Sequence, residues 1–174
     1  MEQERIRERE PETSESDIYD NVLKRNEEFR ERARRMPVVY RGKELGWQQG
    51  RQGLLKYYLS HGKEATASMN FSIFVHEIKT HSGRHRHQGG LVIFVVEGRG
   101  YTVVDGTRID WEQGDLILLP IKPSGVEHQH FNAGRNPSCR WLAFVYRPFG
   151  DAMGNLFEQR EDSPDWKLRK AASA

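Results

Sequence analysis

Short segments rich in Val, Ile, Leu, Phe and Tyr follow one another along the chain after Pro37. Their length and their content of β-branched and aromatic residues predict β-strands. The predicted strands are 54–59, 71–78, 91–97, 101–104, 107–111, 116–119 and 141–146. Asp105-Gly106 lies between two of them and is typical of a two-residue hairpin turn. Many short strands separated by turns predict an all-β sandwich or barrel.

The first 36 residues follow a different pattern, since they contain 9 Lys or Arg and 11 Asp or Glu. Residues 1–13 are so highly charged that we expect them to be disordered. A helix is predicted from Ser14, because its spacing to Asp17 resembles a capping box, and Pro37 would end it. This helix has only a thin apolar stripe. It could lie on the barrel as a solvated helix or pack on a second subunit, and the sequence favours neither.

These patterns divide the chain into three parts. They are a charged, partly helical N-terminal arm at 1–37, a β-barrel at 38–149 and a C-terminal tail at 150–174. The single cysteine, Cys139, excludes an internal disulfide and is predicted to be a small buried residue.

Composition and charge argue against several classes of function. The formal net charge is +2 and no basic stripe is interleaved with aromatic residues, which argues against nucleic-acid binding. There is no run of about 18 apolar residues that would predict a membrane span. The N-terminus also lacks the apolar segment of a secretory signal, so a cytoplasmic location is expected.

Four of the seven histidines occur in two close pairs, His85-Arg86-His87 and His128-Gln129-His130. Alternate residues of a strand face the same side, so each pair can present two imidazoles about 6.6 Å apart at the backbone. That separation suits two ligands of one metal ion. An isolated pair of this kind is usually a pair of solvated surface histidines. Two such pairs beside predicted strands favour a metal site.

The stretch HRHQGGLVIFVVEG at 85–98 resembles the first motif of the cupin family, in which two histidines precede a glutamate and a glycine at fixed spacing. Here Gly98 occupies the glycine position and Leu91 the glutamate position. The second cupin motif is matched by Gly114, Pro120, Pro123, Gly125, His128 and Asn132, with residues 121–123 inserted. The resemblance implies a cupin double-stranded β-helix, which is a jelly-roll barrel, with His85, His87 and His128 as metal ligands.

Without the glutamate, three neutral histidines leave a divalent ion with its full charge. Such an ion favours an anionic chelating substrate and keeps positions open for it and for O₂. The stretches 85–106 and 127–132 are similar to the metal-bearing cupin of gentisate 1,2-dioxygenase and its relatives, which cleave hydroxylated aromatic acids with O₂ at a three-histidine Fe(II) site. The resemblance implies Fe(II), while Zn, Mn, Ni or Cu would also accept these ligands.

The sequence therefore predicts an Fe(II) dioxygenase acting on a small hydroxylated aromatic or enolic acid. The alternatives are a metal-dependent cupin isomerase, lyase or decarboxylase that does not use O₂, and a non-catalytic cupin that binds a small molecule. A homodimer is also predicted, because an open barrel edge needs cover and the helix of the arm would be unstable alone.

Several residues near the motifs are candidates for the chemistry. His130 and Glu127 flank the predicted ligand His128 and could transfer protons, and His130 could also hydrogen-bond a bound oxygen. A glutamate in the position of Glu127 is more often a rim residue. Arg51 and Arg84 could pair with a substrate carboxylate, although such arginines are more often surface residues. Leu91 is expected to face the metal with an apolar side chain. Outside this set, His76 lies in a predicted strand and could face the cavity, although a hydrogen-bonded core histidine is the more common outcome for such a residue.

Overall fold

A computed structural model describes residues 17–60, 70–154 and 156–166. The chain divides into two compact units, residues 1–36 and 37–174. This division lies one residue from the end predicted for the N-terminal arm. Residues 1–13, expected to be disordered, and Ser14, the expected helix start, lie outside the described residues.

The described part of the first unit is the helix α1 (Ile18–Arg35). Its N-cap is Asp17, whose carboxylate accepts a hydrogen bond from the Tyr19 N–H at 3.1 Å. The cap therefore lies three residues after the predicted start. Met36 follows the last helical residue, and Pro37 prevents continuation, as predicted. No helix in the described part of the chain is long and apolar enough to cross a membrane.

The second unit is built mainly of short strands. In chain order they are β1 (Gln48–Gly50), β2 (Gly53–Leu59), β3 (Phe71–Ile78), β4 (Arg84–His87), β5 (Leu91–Glu97), β6 (Arg99–Val104), β7 (Thr107–Glu112), β8 (Leu116–Leu118), β9 (Val126–Asn132), β10 (Cys139–Tyr146) and β11 (Phe157–Glu161). A 3-10 helix at Gly42–Glu44 precedes β1, and a short helix α2 (Arg147–Ala152) follows β10.

These strands form two antiparallel sheets. The first has the order β1-β2-β3-β10-β5-β8 and the second the order β11-β4-β9-β6-β7. The chain passes from one sheet to the other between β3 and β4 and again between β4 and β5, as in a jelly-roll barrel. The architecture confirms the predicted all-β fold with an N-terminal helix.

All seven predicted strands are present, and those at 71–78 and 91–97 have the predicted bounds. The hairpin between β6 and β7 is also confirmed. Asp105 has a φ of 46° and Gly106 a φ of 84°, so both turn residues adopt the left-handed conformation that a type I′ turn requires.

Four strands, β1, β4, β9 and β11, lie outside the predicted segments, and the last three shape the site. β4 and β9 contain the two histidine pairs. Both strands are mostly polar, so their composition does not predict a strand. β11 lies in the segment 150–174, which was predicted as a peripheral tail. It pairs with β4 in the second sheet, so the barrel extends beyond the predicted limit at residue 149.

The core fills the space between the sheets. It consists of apolar side chains from the inward positions of both sheets and includes Cys139, which is buried as predicted. Its residues are Ile78, Leu91, Ile93, Val95, Val104, Trp111, Ile117, Leu119, Val126, Cys139, Trp141 and Ala143. Leu91 and Trp141 also line a cavity, which begins where this packing ends.

Candidate metal centre

The cavity has a volume of about 200 Å³ and lies between the inner faces of the two sheets. The second sheet contributes the histidines of β4 and β9, and the first contributes His76 of β3 and Trp141 of β10. Leu91 lines it at the start of β5, and Phe157 of β11 adds an aromatic ring. The wall formed by the second sheet therefore carries most of the imidazole nitrogen atoms, and the wall formed by the first sheet is mainly apolar.

Strand pairing brings the two histidine pairs together. β4 and β9 are antiparallel neighbours, and His85 lies directly opposite His128. The ring centroids of His85 and His128 are 4.2 Å apart, and those of His87 and His128 are 4.8 Å apart. One nitrogen from each of His85, His87 and His128 lies within 4.8 Å of the other two, so these residues could hold one metal ion.

The hydrogen bond of His128 and the unpartnered nitrogen of His85 fit metal ligation. Nδ1 of His128 lies 3.4 Å from the carbonyl oxygen of Val126, which can only accept a hydrogen bond. His128 therefore carries its proton on Nδ1 and has a free lone pair on Nε2. Nε2 of His128 and Nδ1 of His85 are buried without a hydrogen-bond partner, which is costly unless an ion or ligand engages them.

Burial keeps the three histidines neutral, as ligation requires. It lowers the pKa of His85 well below its usual value, and the neighbouring His87 and His130 lower it further. The pKa of His128 is lowered well below its usual value by burial and by His85. For His87, burial lowers the pKa to about 4. The Gly89 N–H donates to Nδ1 of His87 at 3.0 Å, so this ring must give up that hydrogen bond to bind an ion.

The same burial makes the metal-free protein sensitive to acid. Burial also lowers the pKa of His76 to about 3. Below about pH 6.5 these histidines are protonated in the unfolded chain but remain neutral in the folded chain. The free energy of unfolding therefore falls as the pH falls, by about 1.4 kcal/mol per pH unit for each such proton. We expect the urea midpoint in EDTA to be clearly lower at pH 5.5 than at pH 7.5.

A matched variant assigns this pH dependence to the buried imidazoles. His76→Gln removes one of them and should reduce the dependence by about one proton. Equal urea midpoints for the unmodified protein at the two pH values would contradict the expectation.

The second histidine of β9 has a different set of partners. Thr102 of β6 lies opposite His130, and its Oγ1 is 2.8 Å from Nδ1 of His130. The Trp111 Nε1–H donates to the same oxygen at 2.8 Å. Among the described residues Thr102 Oγ1 has no other hydrogen-bond partner, so its proton goes to His130. Burial lowers the pKa of His130 well below its usual value, so the neutral ring carries its proton on Nε2.

His130 is thus a hydrogen-bond donor, while His128 offers a lone pair. Nε2 of His130 is buried, has no protein partner and belongs to a ring that lines the cavity. It could donate a hydrogen bond to a bound ligand. The hydrogen bonds thus assign different roles to His128 and His130. From the sequence, only the spacing of the family motif distinguished the two.

Not all the predicted site residues reach the cavity. Leu91 lines it and is 4% exposed. Glu127 lies on the opposite face of β9 and pairs with Arg84 at 3.4 Å and with Arg160 at 3.9 Å. Arg84 is exposed, and Arg51 is an exposed residue of the turn between β1 and β2. Glu127, Arg84 and Arg51 therefore lie outside the cavity, contrary to their predicted roles.

Two further residues line the cavity. His76 combines its two predicted alternatives, since it is buried with a backbone hydrogen bond to Gln52 and its ring lines the cavity 4.7 Å from that of Trp141, with Nε2 unpartnered. Phe157, in the predicted tail, stacks on His85 with a centroid distance of 5.3 Å and on His87 at 6.1 Å. The aromatic ring thus lies directly against two of the candidate ligands.

Comparisons with known proteins bear on both the fold and the site. The family model described as a cupin domain matches residues 73–145. A gentisate 1,2-dioxygenase from a Streptomyces species is 44% identical over 59 residues, which are 33% of this chain and 15% of the relative. The matched stretch thus spans a small part of that enzyme.

Two solved structures share the fold. The salicylate 1,2-dioxygenase from Pseudoaminobacter salicylatoxidans, in adducts with gentisate, is 16% identical with a TM-score of 0.51, covering 82% of this chain and 35% of that one. A Streptomyces PAC13 variant with uridine is 12% identical with a TM-score of 0.52, covering 74% and 95% of the two chains. Together with the two sequence motifs and the two-sheet barrel, the family match identifies residues 73–145 as a cupin domain that resembles the gentisate 1,2-dioxygenases.

Proposed function

We propose that this chain is a metal-dependent dioxygenase that holds Fe(II) through His85, His87 and His128 and cleaves a small hydroxylated aromatic or enolic acid. The observation that carries the proposal is the cluster of three neutral histidines, with Leu91 at the position where the cupin motif has a glutamate. Three neutral ligands leave the ion its full charge and leave positions for further ligands. The similarity to a gentisate 1,2-dioxygenase supports a reaction with O₂, and the resemblance of the two motifs to that family implies Fe(II).

The cavity wall supports a substrate whose anionic group binds at the metal. Among the described residues no Lys or Arg lines the cavity. A neighbouring hollow of about 180 Å³ shares His87 and Val145 with it and contains Arg147. A carboxylate or enolate deep in the cavity would therefore find its positive partner in the ion. Leu55, Phe74 and Trp141 offer apolar walls for the rest of a single-ring molecule.

The chain's own residues would position the ligands and the substrate. Phe157 stacks on the rings of His85 and His87 while remaining 60% exposed on its other side. Nε2–H of His130 would donate to an oxygen of the bound substrate, because Thr102 fixes the proton on that nitrogen. When bound, Fe(II) supplies the one-electron chemistry that makes O₂ reactive towards such a substrate.

Thr102→Val tests the role assigned to His130. The substitution removes the hydroxyl that orients the ring and leaves Nδ1 of His130 and Nε1 of Trp111 unpaired. We expect the metal content to stay unchanged, while kcat falls by about tenfold or more because the donor at Nε2 is no longer fixed. Thr102→Ser keeps the hydroxyl and should retain most of the rate. Equal kcat for the valine and serine variants would contradict the assignment.

Anaerobic loading with Fe(II), followed by an oxygen-electrode screen, tests the proposed function. The screen would cover hydroxybenzoates, catechols, β-diketones and thiols, with the His128→Ala variant as the metal-site control. We expect one O₂ consumed per substrate cleaved, and both atoms of ¹⁸O₂ in the product. Turnover without oxygen uptake would favour an isomerase, lyase or decarboxylase. Tight binding without turnover would favour a non-catalytic cupin.

A further inference from the structure

Gln52 is a cavity residue to which neither the sequence motifs nor the proposed function assigns a role. It lies in the turn between β1 and β2, and its side chain contributes to the cavity lining. Its Oε1 is buried and has no hydrogen-bond partner among the described residues. A buried amide oxygen without a donor is destabilising and rare in folded proteins. Such an atom in the wall of a cavity indicates that a ligand supplies the donor.

A chain of hydrogen bonds fixes the orientation of this amide. The Glu161 carbonyl can only accept, and Nε2 of Gln159 donates to it at 2.7 Å. Oε1 of Gln159 is therefore an acceptor, and Nε2 of Gln52 donates to it at 2.6 Å. Turning the Gln52 amide over would place two oxygens against each other. Oε1 of Gln52 consequently remains as an acceptor for the cavity.

The second sheet also holds the main chain around Gln52 in place. The Gln52 carbonyl accepts a hydrogen bond from the Gly83 N–H at 3.0 Å, immediately before β4. The neighbouring Arg51 carbonyl accepts one from the Ser163 N–H at 2.7 Å, after β11. The position of the acceptor is therefore fixed before a ligand binds, which lowers the entropic cost of the contact.

The composition of the cavity selects the chemical class of the donor. Among the described residues its lining contains no Asp, Glu, Lys or Arg. An ammonium group would therefore lose its hydration without gaining a counter-ion, and an anionic group would be repelled by the amide oxygen. A neutral hydroxyl or amino group donates to Oε1 without either cost.

We propose that Gln52 is a substrate-positioning residue, whose Oε1 accepts a hydrogen bond from a neutral hydroxyl or amino group of the substrate. This inference rests on the proposed function, which places the anionic group of the substrate at the metal. The donor is then a further polar substituent, on a part of the molecule that the ion does not hold. Contacts at two points fix the orientation of a small ring, whereas a single contact leaves it free to rotate.

Ligand binding to the Fe(II)-loaded protein without oxygen tests the role of Gln52. The probes are 2-hydroxybenzoate and its derivatives with a hydroxyl, amino, methoxy or fluoro group at one further ring position. At one position we expect the hydroxyl or amino derivative to bind about tenfold more tightly than the methoxy derivative, which has no hydrogen to donate. Gln52→Met keeps the length of the side chain without the amide oxygen and should remove this preference. Isothermal titration calorimetry measures the dissociation constants.

Gln159→Met is the matched control, since it breaks the same hydrogen bond between the two amides but leaves Oε1 of Gln52 present. It should keep most of the preference, and both variants should keep the metal content of the unmodified protein. Equal loss of the preference in the two variants would assign it to the amide pair and overturn the proposal. A preference that survives Gln52→Met would do the same. If Gln52→Met does not fold, Gln52→Ala removes the same oxygen and replaces it in the comparison.

The parent compound separates this test from that of the proposed function. If metal does not tighten the binding of 2-hydroxybenzoate, and His128→Ala does not weaken it, the proposed function fails together with the inference that rests on it. If the parent compound binds through the metal but no derivative shows a preference that depends on Gln52, the proposed function stands and the role of Gln52 is wrong.

Discussion

Replacing His128 with alanine is expected to yield a folded protein that purifies nearly free of metal. The substitution removes the ligand whose Nδ1 proton is fixed by the Val126 carbonyl and whose Nε2 lone pair is buried without a partner. Two remaining histidines cannot hold a divalent ion in the way that three can, so the loss of affinity should exceed the 10- to 100-fold typical of a residue that acts through a ligand. Elemental analysis after purification measures it directly.

The other histidines divide into two groups in the same experiment. His85→Ala and His87→Ala should also lose the metal, because each offers a nitrogen within 4.8 Å of the others. His130→Ala is the matched control from the same strand. It should keep most of its metal and lose mainly rate, since Thr102 holds its ring in the tautomer that donates from Nε2. If His130→Ala lost the metal and His128→Ala kept it, the two roles would have to be exchanged.

The sequence predicted the parts of the fold and site that depend on local pattern. Alternation along a strand places both members of each histidine pair on one face, and the structure has both pairs lining the cavity. The direct opposition of His85 and His128 is a matter of register between β4 and β9, which local pattern does not reveal. The spacing of the two cupin motifs supplied the link between these distant segments.

The same alternation explains two predicted residues that lie outside the cavity. Glu127 immediately precedes His128, and Arg84 immediately precedes His85, so each must face away from the metal if its neighbour faces towards it. Strict use of this rule would have excluded both from the sequence alone. It also places His76 on the same face as the buried Ile78, which is a signal for an inward histidine.

Phe157 could not be found in this way. The sequence FEQRE of β11 contains one apolar residue and no alternation that would predict a strand. It becomes a strand because β4 offers an unpaired edge, and the register places Phe157 opposite His87. The contribution of this segment is therefore decided by tertiary pairing, which outweighs its weak local preference.

The Leu91→Glu variant tests the feature that distinguishes this site from the common cupin motif. Leu91 begins β5, is 4% exposed and lines the cavity with the three histidines. A carboxylate there would add an anionic fourth ligand. We expect metal affinity to be kept or increased and turnover to fall by at least tenfold, because the carboxylate fills a position that substrate or O₂ needs and reduces the charge that attracts an anionic substrate.

Leu91→Gln is the matched control, since it has nearly the same size as the glutamate variant but no charge. A buried carboxylate costs several kcal/mol when it is unpaired, and a bound cation offsets that cost. Without metal, Leu91→Glu should therefore melt at a lower temperature than Leu91→Gln, and adding Fe(II) anaerobically should raise its Tm more than it raises that of the glutamine variant. Unchanged kinetics together with an unchanged response to metal would place residue 91 away from the ion. Another residue would then occupy the position that the glutamate has in the cupin motif.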